Sequence, residues 1–266
     1  MKNILGCLLL LLLLSACDNK PSFAELCDSD TKICNEFEQD SWCKRERIKV
    51  GFANVEQKLE SSDIHKYNQL IGYEHYAKCM DHASKIEHIK LKYKQMMRVN
   101  NSIKAKSRIA EISKDTEESD HPHLLYYHWS RYINEKSLAK FMAQEGSEAL
   151  ENSHSQYNLA TYYTKINPKK TLKLLYRSLE LYQEHETIYP EVFQSISTVF
   201  LGENQAKQVY IWLRILRLHS PENEQVTEKS LNDYIAGYKL DKKLLDKVAA
   251  ITLDKIEDGT FKSPKV

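Results

Sequence analysis

The chain has 266 residues, in which 38 basic side chains balance 37 acidic ones for a formal net charge of +1. So even a balance excludes the global basic field of a nucleic-acid binder, and the length admits one elongated domain or two small ones. Only 7 glycines and 6 prolines interrupt a composition that is 28% charged, which excludes a turn-rich β-sandwich and predicts an all-α chain of helices joined by short turns.

Residues 1–16 read as a signal peptide. Met1-Lys2-Asn3 leads into an unbroken leucine run from Leu8 to Leu14, then Ser15-Ala16-Cys17 and the polar Asp18-Asn19-Lys20-Pro21. The apolar run falls short of the roughly 20 residues a membrane-spanning helix needs, and a charged start, a short apolar stretch and a small-residue exit mark an export signal. Leu14-Ser15-Ala16-Cys17 resembles the lipobox of bacterial lipoproteins. That resemblance implies a diacylated Cys17 thiol, cleavage before it and acylation of the new amino terminus, with palmitate-like chains. Each buried methylene contributes about 0.8 kcal/mol, and two or more chains anchor firmly where one does so reversibly. Asp18-Asn19 resembles the retention signal of inner-membrane lipoproteins. The expectation is a periplasm-facing protein anchored to the inner membrane, with the outer membrane as the alternative.

Residues 17–39 are expected to form the lipid anchor and a disulfide-containing tether. With Cys7 cleaved away and Cys17 acylated, Cys27, Cys34, Cys43 and Cys79 remain, an even number that in an oxidising compartment implies two bridges in one of three connectivities. Residues 40–120 form the next region. Asp40-Ser41 marks a helix start, and Trp42, Ile48, Val50, Phe52, Val55 and Leu59 place an apolar stripe on a helix ending near Glu60. A second helix follows Ser61-Ser62-Asp63, with Ile64, Tyr67, Leu70, Ile71, Tyr76 and Met80 at helical spacing. Residues equidistant from the turn of such an antiparallel hairpin face each other, and residue 61 is the midpoint of 43 and 79. The geometry therefore pairs Cys43 with Cys79 and leaves Cys27 for Cys34, each bridge contributing on the order of 2 to 4 kcal/mol in the chain-entropy model. A zinc site of Cys79 with His75 and His82, at helical spacings on one face, is the rival that the thiol partner argues against.

One stretch is strongly basic. From Lys85 to Arg108, Lys85, Lys90, Lys92, Lys94, Arg98, Lys104, Lys106 and Arg108 stand against Glu87 alone, interleaved with Ile86, Ile89, Tyr93, Met96, Met97, Val99 and Ile103. Two readings follow: an amphipathic helix resting on anionic headgroups, or a solvated face balanced by Glu111, Asp115, Glu117, Glu118 and Asp120.

Residues 121–258 are expected to be a helical repeat domain, with 259–266 a tail. Between Asn152 and Asn223 the chain repeats with a 36-residue period: Tyr157 aligns with Phe193, Ala160 with Ile196, Tyr163 with Val199, Leu175 with Ile211, Tyr176 with Trp212 and Leu179 with Ile215. Fixed-period self-similarity signals a helical solenoid. Each unit reads as two helices, 153–165 with 169–182 and 190–201 with 204–218, and Asn167-Pro168 supplies the break in the first. Gln156-Tyr157-Asn158-Leu159-Ala160-Thr161-Tyr162-Tyr163 followed by Leu174-Leu175-Tyr176-Arg177-Ser178-Leu179 resembles a Sel-one-type unit, the bacterial cousin of the tetratricopeptide repeat, and Gln208 to Leu213 resembles the second helix of another. Ala160 and Val199 depart from that pattern, where glycine and tyrosine are usual. Residues 124–132 with 136–150, and 224–235 with 242–256, extend the pairing on either side. The whole chain also resembles exported bacterial lipoproteins of unknown function. The expected architecture is a disulfide-stapled hairpin followed by a short tetratricopeptide-like solenoid.

Chemical motifs are missing. The sequence holds no nucleophile elbow, zincin pair or glycine-rich phosphate loop, so no catalytic residue, metal or cofactor is expected. The densest histidine group, His121, His123 and His128 with Asp120, is the place where a metal-dependent alternative would have to act. Aromatics on the concave face of a solenoid grip peptides, which makes Tyr162, Tyr163, Tyr189 and Tyr210 candidate binding residues. The sequence thus predicts a membrane-anchored, non-catalytic interaction module for an envelope protein; the alternatives are an envelope enzyme or metal-dependent factor with a dispersed site, or an anionic-lipid binder.

Overall fold

The computed structural model describes residues 22–87, 89–183 and 188–264, the Cys34 side chain excepted. Residues 1–16 and Cys17 therefore lie outside the described residues. Within them the chain is all-α, with thirteen α-helices, one short 3-10 turn and no strand. None of these helices is long and apolar enough to cross a membrane. The chain divides between Glu117 and Glu118 into two compact units, each described below on its own.

The first unit opens where a tether was expected, with two short helices, α1 (Phe23–Ser29) and α2 (Thr31–Asn35). A capping box between Ser22 and Glu25 starts α1. Both helices pack on α3 (Lys44–Leu59). Gly51 permits the contact, since a Cβ there would collide with the Phe23 ring. Ser62, accepting from the His65 amide, caps α4 (Asp63–Ala83), which returns antiparallel along α3. Cys43 and Cys79 are bonded across this hairpin with Cα atoms 6.0 Å apart. Cys27 is also disulfide-bonded, while the Cys34 side chain expected to partner it lies outside the described residues.

A third long helix, α5 (Tyr93–Asp115), packs along α4, so the two-helix hairpin is really a three-helix arrangement. The reason lies in α4, which buries Tyr67, Leu70, Tyr73, Tyr76, Ala77, Met80 and Ala83. That is more than the single stripe one partner helix can cover. Asp40 was expected at a helix start, but α3 begins at Lys44 instead. The Asp40 carboxylate is buried and accepts from Arg98 Nε at 2.6 Å and from the Trp42 amide at 2.7 Å. One carboxylate oxygen is held by the tertiary ion pair and the other by the local turn at Trp42, ahead of the helix. Farther along, Glu36 accepts from the Tyr73 hydroxyl at 2.9 Å and the Asn54 amide at 2.9 Å, joining the segment after α2 to α3 and α4.

The second unit is built of paired helices with repeat-like packing. α6 (Pro122–Tyr132) packs on α7 (Glu135–Ala143), α8 (Ser153–Tyr163) on α9 (Pro168–Glu180), and α10 (Pro190–Gly202) on α11 (Ala206–His219). α11 then receives both α12 (Glu228–Tyr238) and α13 (Lys242–Glu257). Asn134, Asn152, Asn167 and Asp241 each cap the helix that follows with a side-chain oxygen. The positions offset by 36 residues are equivalent in burial where the second helices are concerned. Leu175 and Ile211, Tyr176 and Trp212, and Leu179 and Ile215 are all buried in one core, and the Tyr176 and Trp212 rings lie 5.8 Å apart. A smaller cluster of Leu125, Phe141, Leu150 and Leu159 fills the space around α6, α7 and α8.

Candidate functional site

Helix starts organise the most distinctive surface of the second unit. Pro122 and Pro190 occupy the first turns of α6 and α10, where a missing N–H costs nothing, and Asn152 caps α8. The first turns of these helices bring four rings into a row. His121 and His123 centroids are 5.3 Å apart, His123 and His154 4.7 Å, and His154 and Tyr189 5.0 Å. Tyr157, one turn into α8, lies parallel to Tyr189 at 6.3 Å. The Tyr189 hydroxyl and His154 Nδ1 are 3.3 Å apart.

The row is apolar in character despite its histidines. Burial pushes His123 down to about 3, helped by repulsion from His154 and His121, and burial alone pushes His154 down to about 4. Both rings are therefore neutral at physiological pH. Tyr157 is pushed up to about 12, chiefly by burial. The row presents flat rings with polar edges, the combination that suits tyrosine and histidine to interfaces.

The four tyrosines named from sequence do not form one surface. Tyr189 sits in the row and is 38% exposed. Tyr162 is half-buried and packs edge-on to Trp129 and Tyr163, with centroids 5.7 and 5.0 Å apart. The Tyr163 hydroxyl donates to Glu145 at 2.7 Å while Lys170 Nζ lies 3.8 Å from its ring centroid, so it braces α7 against α8 and α9. Tyr210 is fully buried and donates to Asp246 at 2.6 Å. As a candidate binding residue it is corrected to a core residue joining α11 to α13. Sequence reasoning missed His154 and Tyr157, since nothing in the linear order connects them with His121, His123 and Tyr189 before the helices are stacked.

The histidine group proposed for metal is split. Asp120 pairs with Lys140 at 2.6 Å, and His128 is buried on α6 with its ring edge to Tyr127. Among the described residues, the group of three potential ligands whose donor atoms converge is Cys43, Glu46 and Cys79. Its two sulfurs are bonded to each other, which removes the thiolates a zinc ion would take. Elsewhere in the second unit a cleft of about 350 Å³ opens between α9, α11, α13 and the tail, lined by Tyr176, Trp212 and Phe261 with Lys255 and Lys262.

No curated protein and no solved structure matches the chain. Residues 14–214 match the model of a family described as a protein of unknown function, DUF2989. The match takes in every described residue of the first unit and the second as far as residue 214, within α11. The chain belongs to that family.

Proposed function

We propose that the protein is a lipid-anchored, non-catalytic interaction module of the bacterial cell envelope, held at the membrane by an acylated Cys17 and facing the periplasm. The observation that carries this reading is the row of rings, His121, His123, His154 and Tyr189, laid across the starts of three successive helical pairs. A stack of pairs buries a continuous core and leaves an extended edge for recognition, and rings held by their neighbours contribute contact area at low entropic cost. Sel-one-like units at α8 with α9 and at α10 with α11 fit the same reading, because proteins built from such repeats present partners with a rigid surface. Disulfide use supports an exported setting, since such bonds persist in oxidising compartments.

Two measurements test it. Cys17→Ser is expected to leave the protein strippable from membranes by high-salt washing, since no described helix can span a bilayer; a variant still membrane-bound after that washing would sink the anchor. A photocrosslinking amino acid at Tyr189 is expected to give a discrete envelope-protein adduct that the same group at exposed Lys173 does not. Identical adducts from both positions, or none from Tyr189, would remove the row from the interface.

A further inference from the structure

Helix α5 carries its apolar side chains on two opposite faces. At 3.6 residues per turn, Met97, Arg98, Asn101, Ser102, Ala105 and Ile112 fall on the side packed against the rest of the unit, and all are buried. Directly opposite run Met96, Val99, Asn100, Ile103, Ser107 and Ala110, with Glu111 at the edge, Lys92 before them and Lys114 after, all exposed. Met96 and Ile103 are 64% and 60% exposed. Just ahead of the helix, Ile89 is 94% exposed and Leu91 and Tyr93 are also open to solvent. A helix whose outer face only met water would place its polar residues there.

The charges show what kind of phase that face meets. The two carboxylates of α5 are both engaged, Glu111 at the edge of the outer face with Arg108 and Asp115 with Lys66, so each negative charge is met by a cation. Several of its cations are likewise committed inward: Arg98 to Asp40, Lys106 to Asp81 and Lys104 to the Glu36 carbonyl. Lys90, Lys92 and Lys114 are exposed around the apolar strip of Met96, Val99 and Ile103. Protruding aliphatic side chains ringed by lysine, with a tyrosine at the entry, match the boundary between anionic headgroups and acyl chains.

We infer that the outer face of α5 is a membrane-contact surface, inserting Met96, Val99 and Ile103 into the headgroup boundary of an anionic leaflet while Lys90 and Lys92 meet lipid phosphates. The inference deepens the proposed lipid anchoring and rests on it for bringing the face to a bilayer. It gives the anchor a second function: fixing which side of the first unit lies against the membrane.

The test uses the processed chain from residue 17 with Cys17→Ser, which has no acyl chain, so that its outcome is independent of lipidation. Cosedimentation with vesicles of phosphatidylglycerol and phosphatidylethanolamine is expected, with at least tenfold weaker partitioning into phosphatidylcholine vesicles. Met96→Glu with Ile103→Glu should lower partitioning at least tenfold. Lys90→Gln and Lys92→Gln should each lower it about fivefold, and added salt should mimic them. These positions are solvent-facing, so unchanged far-UV circular dichroism should accompany the losses. Equal partitioning of parent and Met96→Glu/Ile103→Glu chains overturns the inference. So does a parent dimer, seen by sedimentation velocity, that the same substitutions split, since it assigns the face to a second copy. Retention of the Cys17→Ser chain on cell membranes through high-salt washing speaks only to the anchor.

Discussion

Removing either partner of the Asp40 and Arg98 pair should destabilise the first unit by about 3 to 5 kcal/mol, the usual cost of leaving a buried charge without its counterion. The structure supports the upper part of that range. The side chains are 0% and 3% exposed and meet at 2.6 Å, and Arg98 Nη1 also donates to the Ala83 carbonyl at the end of α4 at 2.7 Å. Asp40→Ala would leave a buried guanidinium without its carboxylate. Arg98→Met would leave a buried carboxylate with the Trp42 amide but no counterion. Burial raises the Asp40 carboxyl, but Arg98 and the Trp42 amide outweigh it and hold the group below its ordinary value. A folded value below the unfolded one stabilises the unit above the unfolded value, and that contribution disappears as pH falls through the folded value. Both single variants should therefore also lose part of the acid sensitivity of the parent. Asp40→Leu with Arg98→Met deletes both charges and should cost well under the sum of the singles. Hydrogen exchange of α4 peptides at pH 7 reads the opening free energy of this unit separately from the other. A loss under about 1 kcal/mol in both single variants would refute the reasoning, because it would mean that water or a neighbouring lysine replaces the missing partner.

Two further perturbations test the second unit. Leu175→Ala and Ile211→Ala empty equivalent buried sites and should each cost about 2 to 5 kcal/mol, whereas Lys173→Ala, exposed on the same helix as Leu175, should change stability by less than about 0.5 kcal/mol; near-parental urea midpoints for both apolar variants would dissolve the repeat. For His123 and His154, folded values of about 3 and about 4 lie below the ordinary 6.5, so the unfolded chain binds the extra protons. Stability should fall as pH drops below about 6.5, by up to about 1.4 kcal/mol per pH unit for each histidine, and His154→Gln should flatten that decline in urea unfolding between pH 7 and pH 5; an unchanged slope would place the ring in water.

Helix identity was legible because it rests on local chemistry. The caps at Ser62, Asn152 and Asn167 and the 36-residue register of Leu175 with Ile211 are written within a few turns of sequence, and the structure realises them there. The Cys43 and Cys79 pairing was legible for the same reason, since a tight turn at residue 61 fixes which residues face each other. What the sequence hid were partners supplied from a distance. Asp40 reads as a helix cap until Arg98, 58 residues later, takes its carboxylate. Tyr210 reads as a surface aromatic until Asp246, 36 residues on, accepts its hydroxyl. The ring row was hidden too, because His121, His154 and Tyr189 become neighbours only when three helix starts are set side by side.

The basic stretch shows a different kind of ambiguity. Periodicity alone places Met96, Met97, Val99 and Ile103 on a helix, but both arcs of that helix carry apolar residues, and composition cannot say which one faces the protein. The decision is made by the polar residues that share the inner arc. Arg98, Asn101 and Ser102 are buried because each has a specific partner across the interface: Asp40, the Glu38 backbone and Asp81. Rotating α5 to hide Met96 and Ile103 would turn Arg98, Asn101 and Ser102 out to water, strip the buried Asp40 carboxylate of its guanidinium and expose Met97 and Ile112 instead. Losing one partner of a buried ion pair costs about 3 to 5 kcal/mol, while burying two large apolar side chains at the expense of two others regains little. The hydrogen bonds therefore fix the rotation of the helix. The exposed apolar strip is a consequence of that choice, and a second apolar phase outside the protein is the physical condition under which such a strip is no liability.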